Sequence, residues 1–156
     1  MGFLMTWEVI MESSWISRGV TAVAMAGITL LGATPASAAS YWNSSAPTAA
    51  TSVRSVYEKT VTIGSRTFTI QLRVGKWGSN SYFWARAPKD SDAYGVNLYI
   101  SVYNPSTKKW EWRMEGVSKK TAYTDAHRSI SKYAYRACAS DSMIGSRWVC
   151  TSTWWV

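Results

Sequence analysis

Residues 57–74 read Tyr57-Glu58-Lys59-Thr60-Val61-Thr62-Ile63-Gly64-Ser65-Arg66-Thr67-Phe68-Thr69-Ile70-Gln71-Leu72-Arg73-Val74. On both sides of Gly64-Ser65, apolar and polar residues alternate with a period of two, where an amphipathic helix would repeat every 3.6. A two-residue turn at Gly64-Ser65 sets Ile63 opposite Arg66, Val61 opposite Phe68, Lys59 opposite Ile70 and Tyr57 opposite Leu72. One face then collects Tyr57, Val61, Ile63, Phe68, Ile70 and Leu72. Thr60, Thr62, Thr67, Thr69, Gln71 and Arg73 take the other. Lys59 and Arg66 break the pattern, and Arg66 escapes beside the turn.

The same period continues toward the C-terminus. A third strand is expected over residues 82–87, after the turn region Gly75-Lys76-Trp77-Gly78. A fourth, over 95–103, turns Val96, Leu98, Ile100 and Val102 inward and Asn97, Tyr99, Ser101 and Tyr103 outward. The Asn104-Pro105-Ser106-Thr107 loop leads to a fifth over 110–115, where Trp110, Trp112 and Met114 alternate with Glu111, Arg113 and Glu115. Pairing Val102 with Trp112 and Ile100 with Met114 joins two apolar faces. Residues 116–130 suggest a short helix beginning at Thr124 or Asp125, either an acceptable N-cap. Strands over 131–139 and 147–155, with a turn over 140–146, complete the chain. The expectation is an all-β domain over 52–156, a small antiparallel β-sandwich or barrel of about seven strands.

Ahead of this domain, residues 1–38 read as a secretory signal peptide. Arg18 precedes the apolar stretch 19–31, whose helix would reach about 20 Å, short of the roughly 30 Å hydrocarbon core of a bilayer. Ala36-Ser37-Ala38 then places small residues at the −3 and −1 positions of a cleavage site, and cleavage after Ala39 satisfies the same rule. Glu8 and Glu12 depart from the positive leading region of such signals, and a start at Met11 instead of Met1 removes Glu8. Residues 39–51, rich in Ser, Ala and Thr, read as a flexible lead. Export predicts a secreted, extracellular protein with no membrane span, expected as a monomer.

Cys138 and Cys150 are the only cysteines, and an even count in an exported chain favours a bridge between them. A zinc site would need four ligands, more than these two and the single histidine supply, so no metal and no cofactor is expected. The ending Arg136-Ala137-Cys138 … Cys150-Thr151-Ser152-Thr153-Trp154-Trp155, after an Ala-rich leader, resembles small exported proteins of actinobacteria. The resemblance covers the leader and the last twenty or so residues; it implies an extracellular location and no activity.

The chain carries a net charge of +8, which becomes +9 once Glu8, Glu12 and Arg18 leave with the signal; eight of its ten tryptophans remain. Cations that hold phosphate or carboxylate, beside indoles that stack on sugars or bases, point to an anionic or carbohydrate polymer as partner. Tyr99, Tyr103, Lys108, Lys109 and Arg113 are the expected ligand-binding strip of a non-catalytic binding protein at the cell envelope. An alternative is a small nuclease-like hydrolase using His127 with Glu111 or Glu115, with Arg113 and Arg128 for the phosphate. A secreted inhibitor or antagonist that binds another protein is a third reading. No Gly-x-Ser-x-Gly elbow or phosphate-cradling glycine loop occurs. Glu111 and Glu115 on one strand stand about 13 Å apart, too far for paired-carboxylate glycoside hydrolysis. His127 is expected in an exposed loop.

Overall fold

The computed structural model describes residues 40–89, 92–117, 121–141 and 147–156. The expected signal peptide, and most of the turn expected over 140–146, lie outside the described residues.

The chain runs β1 (Trp42–Asn43), α1 (Ala46–Ala49), β2 (Thr51–Ile63), β3 (Arg66–Trp77), β4 (Asn80–Ala87), β5 (Val96–Asn104), β6 (Lys109–Gly116), β7 (Ala122–Tyr123), β8 (Ala126–Arg128), β9 (Ala134–Asp141), β10 (Val149–Cys150) and β11 (Trp154–Trp155). Two antiparallel sheets pack face to face as a β-sandwich. The first has the order β1-β8-β4-β3-β2, with β7 also on β4; the second is β10-β9-β5-β6, with β11 on β9.

The β2–β3 hairpin has the expected register: Ile63 faces Arg66, Val61 Phe68, Lys59 Ile70 and Tyr57 Leu72. Gly64 supplies the positive φ, +61°, that a two-residue turn places first. Its apolar face meets that of the second sheet. Val61, Phe68, Ile70, Leu72, Phe83 and Ala85 come from one side, and Val96, Leu98, Ile100, Val102, Tyr135, Ala137 and Ala139 from the other. Phe83 and Tyr135 stack across the interface, centroids 4.3 Å apart. Burying such a face stabilises the fold by roughly 1.5–3 kcal/mol per large apolar side chain.

Two expectations are corrected. First, β6 pairs one residue out of the expected register: Val102 faces Glu111, Ile100 faces Arg113 and Leu98 faces Glu115. A one-residue slip exchanges the two faces of a strand, so Trp110, Trp112 and Met114 lie on the outer side with Tyr99, Ser101 and Tyr103. Glu111, Arg113 and Glu115 take the core side, which β6 tolerates because it is an exposed edge strand where inward charges discourage further pairing. Second, Thr124 starts no helix. Its backbone N–H donates to Ala85 O and its Oγ1 accepts from Ala85 N–H, both at 3.1 Å, so it bridges from β7 to β8 along β4. Within the expected lead, β1 pairs with β8, setting Trp42 opposite His127, and Ala46 and Pro47 of α1 are buried on the outer side of the first sheet.

Candidate functional site

Strand alternation decides what the second sheet shows to the outside. Across it, Trp110 pairs with Tyr103, Tyr103 with Ala134, and Ala134 with Trp155; in the next row Trp112 pairs with Ser101 and Ser101 with Arg136; then Met114 pairs with Tyr99, Tyr99 with Cys138 and Cys138 with Cys150. Directly opposed residues share a face, so all five strands of the sheet contribute to one outer surface, on which the large side chains are mostly aromatic. Trp112, Met114 and Trp155 are half exposed or more (51%, 50% and 61%), and Trp110 and Trp148 are also open to solvent.

The rings brace one another. Trp148 stacks on Tyr99 with centroids 4.2 Å apart and meets Trp112 edge-on at 6.0 Å; Tyr99 also meets Trp112 edge-on at 5.7 Å. Tyr103 lies between Trp110 at 5.5 Å and Trp155 at 5.8 Å. Edge-on and offset arrangements suit the ring quadrupoles and limit how far each indole can turn. The Arg136 guanidinium sits 3.9 Å from the Trp110 ring centroid, and desolvation pulls its pKa below the ordinary arginine value. Beneath the rings, Ser101 Oγ and Arg136 Nε are buried without a hydrogen-bond partner among the described residues.

The Cys138–Cys150 disulfide lies under this face. It ties β10, and with it the neighbouring Trp148, to the sheet. Tyr99 Oη bonds Ser140 Oγ at 3.0 Å, so Tyr99 is a buried floor to the surface and offers little of its own ring to solvent.

The five expected ligand-binding residues are therefore divided. Tyr99 and Tyr103 belong to the aromatic face. Lys108 adjoins it in the β5–β6 loop, in a left-handed conformation with φ +55°. Lys109, opposite Asn104, alternates to the other side of β6. Arg113 also lies on that side, its guanidinium 4.9 Å from the Trp42 ring centroid at the rim of the sandwich. The strip expected from sequence thus loses two of its cations. The residues that sequence reasoning missed are Trp110, Trp112, Met114, Arg136, Trp148 and Trp155. The first three were assigned to the core; the signal that identifies them is the charge of their alternates, Glu111, Arg113 and Glu115, read for an edge strand.

His127 is not in an exposed loop: it is 2% exposed on β8. Tyr41, Trp42, Tyr133 and Tyr135 surround it with ring centroids 4.7 to 5.9 Å away. Its Nδ1 lies 2.8 Å from Arg128 O, and burial holds the imidazole below its ordinary pKa. Glu111 acts on it electrostatically, and the surrounding rings leave the imidazole almost no surface open to solvent. Among the described residues no group of His, Cys, Asp and Glu could hold a metal ion, and no helix is long and apolar enough to cross a membrane.

No protein-family model, no curated protein and no solved structure matches this chain.

Proposed function

We propose that this is a secreted, non-catalytic binding protein whose ligand is a carbohydrate polymer of the kind found in cell envelopes. The observation that carries the reading is the outer face of the second sheet, where Trp110, Trp112, Trp148 and Trp155 are exposed together. An apolar patch held open on a sheet face marks an interaction surface. Here it is built of indoles and one thioether, with no aliphatic β-branched residue in the rows described above. Flat indole faces suit the C–H faces of pyranose rings, and the rigid bracing keeps the entropy cost of binding low. Arg136 adds one cation to orient a hydroxyl-rich or carboxylate-bearing chain. With Lys109 and Arg113 turned to the other side, the charge pattern favours a sugar polymer over a densely anionic one such as a nucleic acid.

The test is retention on insoluble cellulose, chitin and purified peptidoglycan. Wild-type protein should be retained on at least one of them. Trp112→Ala and Trp155→Ala should each weaken that retention by roughly tenfold, as expected for the loss of about 1–3 kcal/mol per stacking face, while the double change of Lys108 and Lys109 to Ala leaves it within twofold. Raising salt from 50 to 200 mM should also change it little, because few counterions are released. No retention on any of the three, or equal retention by the tryptophan variants, overturns the proposal. Tight, steeply salt-dependent binding to RNA would replace it with the nucleic-acid reading.

A further inference from the structure

The opposite side of the molecule holds a second, chemically different site. On the outer face of the first sheet, register aligns Glu58 with Gln71, Gln71 with Arg86 and Arg86 with Tyr123; one row on, Arg73 pairs with Trp84. α1 lies over this face and buries Ala46 against Tyr82 and Trp84. Between them remains a cavity of about 170 Å³ lined by Pro47, Val53, Arg73, Trp84, Arg86 and Tyr123.

The cavity has more donors and more positive charge than its surroundings satisfy. Arg73 Nη1 and Arg86 Nη1 both donate to Gln71 Oε1, at 3.2 and 2.9 Å, while Gln71 Nε2 donates to Glu58 Oε1 at 2.9 Å. Gln71 thereby separates the one carboxylate of the row from both guanidiniums. Three buried N–H donors on the lining residues, Arg73 Nε, Arg86 Nε and Trp84 Nε1, have no partner among the described residues. Leaving such donors unmade in an interior costs more than the bonds they would form. The Arg73 pKa is lowered first by burial and then by the charge of Arg86, and the attraction of Glu58 is the smaller electrostatic effect. Two guanidiniums side by side match the planar fork of a carboxylate, and Pro47, Val53, Trp84 and Tyr123 offer apolar contact to whatever carries it.

We infer that this cavity is a binding site for a small organic carboxylate with a compact apolar body, held by Arg73 and Arg86 beside the Trp84 ring. The site shares no residue with the aromatic face of the second sheet, so it stands or falls separately from the carbohydrate reading.

The probe is benzoate, followed through the Trp84 indole N–H signal in a proton–nitrogen correlation spectrum, assigned by its disappearance in Trp84→Phe. Benzoate should shift that signal saturably, benzyl alcohol should not, and inorganic phosphate should shift it at least tenfold less effectively. Arg86→Lys keeps the charge but loses the fork, and should weaken benzoate at least fivefold. Glu58→Gln keeps the bond from Gln71 while removing the competing charge, and should tighten it severalfold. Trp112→Ala should leave it unchanged. No saturable shift, an equal response to benzyl alcohol, phosphate binding as well as benzoate, or unaltered affinity in both Arg86→Lys and Glu58→Gln would overturn the assignment. The Glu58→Gln arm reads a gain, so a folding defect in an arginine variant cannot imitate the expected result.

Discussion

Burial of the His127 imidazole makes one residue report on the whole fold. Its folded-state pKa lies below the ordinary histidine value because burial penalises the charged ring, more than the Arg128 carbonyl and Glu111 favour it. The folded protein therefore binds fewer protons there than the unfolded chain. The stability from keeping the ring neutral is fully present above about pH 6.5 and declines as the pH falls below it, by at most about 1.4 kcal/mol per pH unit. Melting temperatures across pH 5 to 8 should show this decline, and the wild-type advantage over His127→Gln should shrink at the acidic end. A constant difference between the two proteins across that range would mean that His127 does not titrate in the folding transition. Gly75 gives a second residue-scale prediction, from space instead of charge. A Cβ placed there would lie 2.9 Å from Trp84 Cη2 and from Val53 Cγ2, and 3.0 Å from Ala50 Cβ. Gly75→Ala should destabilise the domain by about 1–3 kcal/mol through overpacking, read as a lower denaturant midpoint at unchanged slope.

Among the elements, the two hairpins show what a turn can specify. In β2–β3 the Gly64-Ser65 turn has two residues, and counting outward from it reproduces the observed register. In β5–β6 the loop is four residues, Pro105 to Lys108, between Asn104 and Lys109. Asn104 Oδ1 accepts from the Ser106 and Thr107 N–H groups to hold the turn. Matching apolar faces across that loop instead of counting it moves the pairing by one residue and turns the tryptophans inward. The faces differ because β6 is an edge, where charge on the core side is tolerated. The β9–β10 clasp links element to function. The Cys138–Cys150 cross-link closes a short loop, with the two cysteines 12 residues apart in sequence, and such a loop constrains the unfolded chain by about 3 kcal/mol. Reduction should therefore lower the melting temperature by roughly 10 °C for a domain of this size. The paired Cys138→Ala, Cys150→Ala variant should in addition lose glycan retention, since β10 no longer holds Trp148 over Tyr99. Thiol titration of the denatured native protein should find no free cysteine.

On the scale of the whole molecule, the sandwich buries one core between two sheets whose outer faces differ in composition. The second sheet is aromatic outside and the first is basic and partly roofed by α1, so the two proposed sites lie on opposite sides. The disulfide fits the oxidising compartment that export predicts. N-terminal sequencing of protein from a culture supernatant should begin at Ala39 or Ser40; recovery only of the intact chain from cytosol would defeat the proposal of secretion.

Period-two alternation with short turn signals was enough to establish an all-β chain, its antiparallel hairpins and the two inward rows Val61/Phe68/Ile70/Leu72 and Val96/Leu98/Ile100/Val102. These are local properties: neighbouring side chains on a strand must point to opposite faces whatever the rest of the chain does. The pairing of Cys138 with Cys150 was legible for a similar reason, since two cysteines allow one bridge. Alternation does not say which face is covered. That depends on what packs against it, and only the tertiary structure decided that β6 is an edge, that its tryptophans share a surface with Trp148 and Trp155, and that His127 is walled in by rings from β1, β9 and the segments beside them. The carboxylate-sized cavity was beyond sequence altogether. Arg73 and Arg86 are 13 positions apart in the chain, and they become neighbours because both bond the one Gln71 carbonyl under a roof that α1 supplies from elsewhere in the chain.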